Sequence, residues 1–590
     1  MELVRGPQVI DIEWARIQAV FGLGGPHPAK VVETPLTVFL EEIGILSSWP
    51  HPESVHWNPT LKDVIERHFK SYVVEATDDQ RNDDVVHRLS GSRFRRLDTL
   101  KSFQVRDVGR LLTLPHGLNF SVPGAGKTRV TLAVYEAERV TGRVDRLLII
   151  APNSAFEAWL SEISDILDLH VSRGDVAQVE DRFPRAEICI INYPRLANRL
   201  TEAVAWVWER PTMLVLDEGH RAKRGTSGFW GRACLSLAQF AERRDVLTGT
   251  PAPQSVADLI PLLQFAHLSG GPTRIQDVTA PVSEVAIQIK DLYVRTNKAE
   301  LELPPAPVQM RYLPMRPLHG EIYRALRGIY GNRPANVDAR GYFARLGRVT
   351  FYLLMAATNP MLLRAGVEPH DPIEFLVPPL DLPPGSNLAE LFDRYDDFGP
   401  PAKYEEAMRI VKENAALGRK TLIWSTFVRN LTSLKLALSV MQPALVYGGV
   451  PLGSNSLGPS RQEEIDRFRH DPDCWVMLAN PGSLGEGLSL HQACQDAIYL
   501  DRSFNAGHFL QSVDRIHRLG LDIPARITVL VSEGTIDTVV ASRLAVKVGN
   551  LAMLLEDTTL HALALPDEET AATLLDQDDL QALFEHLSIR

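Results

Sequence analysis

The chain has 590 residues, of which 45% are hydrophobic and 23% are charged, so it is neither a small stapled scaffold nor a largely disordered or collagen-like chain. Its length predicts about three to five domains. The net charge is −11, but residues 551–590 hold nine acidic residues and one arginine, so the rest of the chain carries only −3. Because a global excess of basic residues is absent, any contact with nucleic acid requires a local surface.

The four cysteines are widely spaced and form no Cys-x-x-Cys pair: Cys189, Cys234, Cys474 and Cys494. This pattern predicts neither a disulfide framework nor a structural zinc site, and it favours a reducing compartment. No run approaches the roughly 20 apolar residues that a membrane span needs. We therefore expect a cytoplasmic protein without a membrane partner.

The first predicted region of the chain, residues 1–96, is an accessory region to which we assign no role. Short apolar runs rich in β-branched residues then recur through 97–300, as in buried parallel strands. They are Arg146–Pro152, Glu187–Tyr193, Thr212–Glu218 and Asp245–Pro251. Each run ends where a polar loop begins, which predicts a first doubly wound α/β lobe.

Residues 301–400 combine helical patterns with proline-rich stretches, VPPLDLPPGSN among them, and this predicts a helical insertion and a linker. A second set of apolar runs follows in 401–550 and predicts a second parallel-sheet lobe. They are Thr421–Phe427, Ala444–Tyr447, Trp475–Asn480, Ala497–Asp501 and Arg526–Ser532. Residues 551–590 alternate apolar and acidic positions at helical spacing, so we expect an acidic tail of amphipathic helices on the second lobe.

The segment Ser121–Thr128, SVPGAGKT, stands just before a helical run and is typical of a phosphate-binding loop. Gly124 and Gly126 allow the backbone N–H groups, including that of Ala125, to surround phosphates. Lys127 can reach the β and γ oxygens, and the Thr128 hydroxyl can hold magnesium. Ser121 replaces the first glycine of the strict pattern, and a helix-capping glycine turn is the alternative.

The segment DEGH follows the predicted strand Thr212–Glu218 and places two acids at the carboxyl edge of the sheet, where nucleotides bind in open α/β sheets. Asp217 can assist a magnesium ion while Glu218 orients and deprotonates an attacking water. A solvated loop is the alternative for such a pair taken alone. Together with the phosphate loop, it predicts an ATP-hydrolysing site.

Segments spread over 97–550 resemble, in order and spacing, the motifs of superfamily-two helicases. They are LKSFQ, SVPGAGKT, LIIAPNSAFEAW, INYPRL, LDEGH, LTGTP, WSTF, GEGLSL and QSVDRIHRLG. The segments YVRTNKAELELPP, RPLHGEIYRAL and ATNPMLL resemble the Swi/Snf-type branch specifically. The resemblance implies two tandem RecA-like lobes, with ATP and Mg²⁺ as cofactors and double-stranded DNA as partner.

The resemblance also implies roles for individual residues. Gln104 would read adenine, and Gln511, Arg515 and Arg518 would face the nucleotide from the second lobe. Gly485, Glu486 and Gly487 would line the cleft between the lobes. The residues implied to lie along nucleic acid or to couple it to the nucleotide are Pro152, Asn153, Asn192, Tyr193, Thr248, Thr250 and Ser425.

The sequence departs from the family pattern at several positions. Ser121 and Val122 replace an acidic pair before the phosphate loop, and DEGH replaces the commoner DEAH or DEAD. We expect Gly219 to be tolerated there because it is small. After LTGTP, Gln254 or Ser255 and Asp258 stand where the family often has Asn and Glu.

We therefore expect a DNA-dependent ATPase that moves along duplex DNA, serving DNA defence, remodelling or repair. An RNA- or single-strand-dependent helicase of the same superfamily is one alternative. A nucleotide-gated scaffold with little turnover is another, although a complete hydrolytic set argues against it. A protein partner docking through 1–96 or the acidic tail is also compatible with the sequence.

Overall fold

The computed structural model describes two compact units, the first ending at Thr296 and the second beginning at Asn297. The described residues are 81–252, 256–267, 280–331, 339–371, 377–395, 399–451, 458–481, 490–518 and 520–557, with scattered residues before 81 and after 557. The accessory region 1–96 and the acidic tail thus lie largely outside them. Near the amino terminus, β1 (Glu2–Val4) and β2 (Val31–Glu33) form an antiparallel pair.

The first unit is built on a parallel sheet whose described strands run in the order β5-β6-β4-β7-β8-β3-β9. The strands are β3 (Gly117–Asn119), β4 (Arg146–Ile150), β5 (Val176–Gln178), β6 (Ile188–Ile191), β7 (Thr212–Asp217), β8 (Arg243–Leu247) and β9 (Tyr293–Val294). All residues of β4, β6 and β8 are buried. This is expected for strands of a parallel sheet that is covered on both faces. The four strands predicted for this lobe are confirmed.

Two helices of the first unit precede its parallel sheet in the chain, and the others lie between the strands of that sheet. They are α1 (Arg81–Ser90), α2 (Ser102–Leu112), α3 (Lys127–Val140), α4 (Phe156–Leu167), α5 (Tyr193–Asn198), α6 (Leu200–Glu209), α7 (Phe229–Ala238), α8 (Leu259–Ala266) and α9 (Val282–Ile289). Residues of α1, α2, α3 and α4 share one apolar core with β4, β6 and β7. Burial of these apolar faces stabilises the sheet on which the loops of the site are carried.

The second unit contains another parallel sheet, in the order β10-β15-β14-β11-β13-β12. The strands are β10 (Val308–Leu313), β11 (Thr421–Trp424), β12 (Ala444–Val446), β13 (Val476–Ala479), β14 (Asp496–Tyr499) and β15 (Arg526–Ser532). The five predicted strands and the predicted two-lobe α/β fold are confirmed. Strand β10 is an addition, since it comes from the segment predicted to be an insertion and linker.

The helices of the second unit include those of the predicted helical insertion. They are α10 (Pro317–Gly331), α11 (Ala339–Thr358), α12 (Leu362–Ala365), α13 (Asn387–Tyr395), α14 (Ala402–Ala416), α15 (Val428–Ala437), α16 (Arg461–His470), α17 (Ala506–Val513) and α18 (Ile536–Leu554). Helix α10 is joined to α18 because the Tyr323 hydroxyl accepts a hydrogen bond from the Ile536 N–H at 2.8 Å. No helix in the described ranges is long and apolar enough to cross a bilayer.

Candidate active site

The phosphate loop lies between β3 and α3 at the carboxyl edge of the first sheet. Gly124 and Gly126 have φ angles of +87° and +81°, a left-handed conformation that side chains with a Cβ rarely adopt. Gly126 is the residue immediately before α3, so the first N–H groups of that helix face the loop. This arrangement suits an anion such as a phosphate group.

Gln104 on α2 holds the phosphate loop in this conformation. Its Nε2 donates to the Ala125 carbonyl at 3.0 Å, and its Oε1 accepts from the Lys101 N–H at 3.0 Å. A Cβ at position 126 would lie 2.3 Å from that Nε2, so the loop and the amide fit only when residue 126 is glycine. Gln104 thus has a structural contact here, and its role in reading adenine stays a prediction.

The ammonium group of Lys127 lies over its own loop. Nζ donates to the Ser121 carbonyl at 2.8 Å and lies 3.4 Å from the Val122 carbonyl. Thr128 follows in the first turn of α3 and is half-buried. Lys127 and Thr128 therefore both lie at the amino-terminal end of α3, next to the phosphate loop.

Asp217 ends β7 and is held in place by two donors. The Trp159 indole N–H donates to its Oδ2 at 2.8 Å, and the Glu218 N–H donates to its Oδ1 at 3.0 Å. Glu218 has a φ of +52°, which is uncommon for a residue other than glycine and marks a constrained turn after the strand. The turn orients Asp217 and Glu218 differently although they are adjacent.

The LTGTP segment follows β8, which lies between β7 and β3 in the sheet. His220 Nδ1 lies 3.2 Å from Thr248 Oγ1 and 3.4 Å from Glu218 Oε2. A Cβ at Gly249 would lie 2.8 Å from Cδ of Pro123 in the phosphate loop. The segment therefore contacts both the strand that carries the acids and the loop that carries Lys127.

Several residues predicted to lie along nucleic acid have buried side chains. Tyr193 is 1% exposed, and its hydroxyl donates to the Asp217 carbonyl at 2.7 Å. Thr248 and Thr250 are buried, as is Pro152. In this structure these side chains support the turns at the carboxyl edge rather than line its surface.

Asn153 and Asn192 are the predicted nucleic-acid residues of the first unit that lie nearer the surface. They follow β4 and β6, which are neighbours in the sheet, and the Asn192 Nδ2 donates to the Asn153 Oδ1 at 2.7 Å. Asn153 is exposed, whereas Asn192 is half-buried and also caps α5 through the Arg195 N–H. The pair presents amide groups at the same edge as Asp217.

In the second unit, Ser425 follows β11 and is fully buried. Its hydroxyl donates to Oδ2 of Asp501, whose Oδ1 accepts from the Thr426 N–H at 2.7 Å. Asn430 Nδ2 also donates to Asp501 at 3.1 Å. Burial raises the pKa of the Asp501 carboxyl. Ser425 thus fixes the end of the strand, and a direct strand contact by this residue stays a prediction.

The two predicted arginines lie in the turns that follow α17. Gln511 lies on α17 and is half-buried, whereas Arg515 is nearly buried, and its carbonyl accepts from the Leu490 N–H at 2.9 Å. Burial and, next, the positive charge of Arg515 lower the pKa of Arg518. Gly485, Glu486 and Gly487, like Gln254 and Ser255, lie outside the described residues.

Comparison with known proteins adds a family assignment to this geometry. Residues 116–348 match the SNF2-related domain. A chromodomain-helicase-DNA-binding protein 1-like protein of Danio rerio is 25% identical over 481 residues, which cover 77% of this chain and 42% of the relative. The ATP-dependent helicase fft1 of Schizosaccharomyces pombe is 22% identical over 494 residues, which cover 74% of this chain and 51% of the relative.

The chain contains an SNF2-related domain and is similar to proteins of the Swi/Snf-type branch of helicase superfamily two. It spans about half or less of the length of these curated relatives. Among solved structures, the Sulfolobus solfataricus SWI2/SNF2 ATPase core in complex with dsDNA matches 80% of this chain and 98% of its own, with 18% identity and a TM-score of 0.32.

A buried network in this chain involves two residues that the sequence did not single out, Asp107 and Thr296. The Ser121 and Thr296 hydroxyls donate to Asp107 Oδ2 at 3.3 and 2.7 Å, and the Thr296 N–H donates to the Ser121 hydroxyl at 2.9 Å. Burial raises the pKa of Asp107. The only signal in the sequence was the departure at Ser121, whose hydroxyl completes this network.

The residues of the site fit a nucleoside triphosphate and a magnesium ion. Gly124 and Gly126 hold the loop in a left-handed conformation directly before α3, and Lys127 supplies a cation over it. Thr128 and Asp217 supply the hydroxyl and carboxylate oxygens that Mg²⁺ prefers. The strands β3, β8 and β7 are consecutive in the sheet, so their three loops meet at one edge.

Proposed function

We propose that this protein hydrolyses ATP in response to duplex DNA and uses the energy to move along the duplex. The observation that carries the proposal is the convergence of the phosphate loop, LTGTP and DEGH at the carboxyl ends of three consecutive parallel strands. The match of residues 116–348 to the SNF2-related domain supports the choice of chemistry. The names of its relatives, which include helicases and a DNA-binding protein, support the choice of partner.

The chain's own groups have separable roles in this proposal. Lys127 and the N–H groups before α3 hold the β and γ phosphates, while Thr128 and Asp217 hold magnesium. When bound, magnesium would neutralise charge on the phosphate oxygens. Glu218 orients a water molecule and accepts its proton, and the contact of His220 with both Glu218 and Thr248 ties this acid to the LTGTP segment.

Arg515 and Arg518 of the second unit complete the proposed mechanism. A guanidinium placed against the γ-phosphate stabilises the charge that develops on it during transfer. We propose that duplex DNA favours the conformation in which these arginines reach the nucleotide, since a ligand shifts a conformational equilibrium only through differential affinity. DNA held mainly through its phosphates would meet this requirement without sequence specificity.

The test is ATP turnover by the purified full chain without nucleic acid and with duplex DNA, single-stranded DNA or RNA. We expect strong stimulation by duplex DNA that weakens as salt is raised, because phosphate contacts release counterions. Displacement of a third strand from a DNA triplex then measures movement along the duplex. Best stimulation by RNA or single strands would replace the proposed substrate, and ATP binding with negligible turnover under every condition would support a scaffold.

A further inference from the structure

Lys298 lies in the connection between β9 and β10, and its side chain binds the segment that carries the two arginines. Its Nζ donates to Asp514 Oδ1 at 2.5 Å and lies 3.3 Å from His517 Nδ1. Lys298, Asp514 and His517 are all nearly buried. One cation thus contacts the residue directly before Arg515 and the residue directly before Arg518.

The partners of His517 define how it takes part. Its Nε2 lies 2.7 Å from the Pro304 carbonyl, which can only accept, so Nε2 carries the proton. The Nδ1 lone pair is then available to the Lys298 ammonium. Burial and, next, the charge of Lys298 lower the pKa of His517, in agreement with a neutral ring. The turn is therefore fixed by Lys298 and, through His517, by the backbone of the same connection.

We propose that Lys298 is a positioning residue for ATP hydrolysis, which holds Arg515 and Arg518 in their active orientation through Asp514 and His517. The inference rests on the proposed function, because it gives Lys298 no role unless these arginines act on the nucleotide. Arginine is effective only when its guanidinium is placed within a fraction of an ångström, and a misplacement of about 1 Å can cost about 10²-fold in rate. A buried cation with two partners limits such displacement.

The position of Lys298 in the chain adds a second consequence. Thr296, two residues earlier, is held by the phosphate loop: its carbonyl accepts from the Val122 N–H at 3.0 Å, and its N–H donates to Ser121. Thr296 therefore hydrogen-bonds to the phosphate loop, and Lys298, two residues later, hydrogen-bonds to the segment that contains the two arginines.

The first experiment replaces Lys298 with methionine, which keeps much of its length without the charge. We expect DNA-stimulated kcat to fall about 10-fold to 100-fold, with the Kd for ATP unchanged. A double-mutant cycle against the Arg515→Ala/Arg518→Ala protein tests the route of the effect, because Lys298 contacts the residue before each arginine. If Lys298 acts through the arginines, Lys298→Met lowers kcat little further when both arginines are absent, whereas independent effects would multiply.

The matched control is Lys403→Met, because Lys403 also forms a buried ion pair in the same unit, with Asp537 at 2.6 Å. Thermal unfolding of both variants separates loss of stability from loss of rate, since breaking a buried pair is destabilising in either place. Asp514→Asn, which keeps the shape of the acceptor, provides a second variant if Lys298→Met fails to fold. We expect a larger loss of DNA-stimulated kcat in Asp514→Asn than in Lys403→Met.

The outcomes separate this inference from the proposed function. If the unmodified chain shows no turnover with any nucleic acid, the proposed function fails. The positioning role of Lys298 is overturned if the unmodified chain is stimulated but Lys298→Met and Asp514→Asn keep their full rate. It is also overturned if the effects on kcat of Lys298→Met and of the double Arg515→Ala/Arg518→Ala substitution multiply. Equal losses in Lys298→Met and Lys403→Met would also overturn it.

Discussion

The backbone of Gly219 passes so close to Val246 on β8 that a Cβ at position 219 would lie 2.5 Å from Val246 Cγ1. The glycine of DEGH is therefore required by this packing rather than merely tolerated. Strand β8 is the neighbour of β7, so the close approach sets the direction in which the turn leaves Asp217. The commoner alanine would need a smaller residue on β8.

Gly219→Ala should destabilise the first unit. Overpacking of this kind costs about 1–3 kcal/mol, and Val246 cannot move freely because it lies in a buried strand. Thermal unfolding at a fixed scan rate measures the loss. The double variant Gly219→Ala with Val246→Ala should recover part of it, and equal stability of Gly219→Ala and the unmodified chain would contradict this packing argument.

Lys127→Ala should weaken nucleotide binding and remove turnover, because it removes the cation beside the phosphate loop. The fold should persist, since Lys127 is half-buried and its Nζ donates to carbonyls of its own loop. Binding of a fluorescent ATP analogue and steady-state turnover measure the two effects, with circular dichroism as the control for folding. A folded variant with unchanged turnover would refute the assignment of the loop.

Glu218→Gln should keep ATP affinity while hydrolysis falls about 10²-fold or more. The substitution preserves size and hydrogen bonding but removes the base that accepts the proton of water. The matched comparison is Asp217→Asn, which should weaken the dependence on magnesium instead, because Asp217 is the proposed metal ligand. Loss of ATP affinity at an unchanged rate per bound nucleotide would show that the role of Glu218 is different.

Arg518→Ala should remove most of the stimulation by duplex DNA while ATP binding is retained. Arginines that act in this way contribute about 10³–10⁵ in rate in related phosphoryl-transfer systems. Turnover is measured over a series of duplex concentrations at low and high salt, so that weaker DNA binding is separated from a slower rate at saturation. Full stimulation of Arg518→Ala at saturating DNA would exclude an essential contribution of this arginine.

The predicted strands of both sheets could be found from sequence because parallel strands buried on two faces need continuous apolar runs. Strand β10 could not be found in this way. Gln309 and Arg311 alternate with its apolar residues. It is an edge strand of the sheet, so it has a single neighbouring strand, β15. Its alternation of apolar and polar residues is that of a strand with one exposed face, which the continuous apolar runs of buried strands do not show.

The sequence alone determined which residues are proposed to meet phosphate, magnesium and water, because Lys127, Asp217 and Glu218 lie in short motifs that follow strands. Only the tertiary structure decided that Tyr193 supports Asp217 from the interior, that Gly219 is required by Val246, and that Lys298 binds Asp514. Lys298 and Asp514 are 216 residues apart in the chain. Local patterns encode backbone conformation and burial, whereas contacts between distant segments depend on how helices and strands pack, and no short window of sequence contains that information.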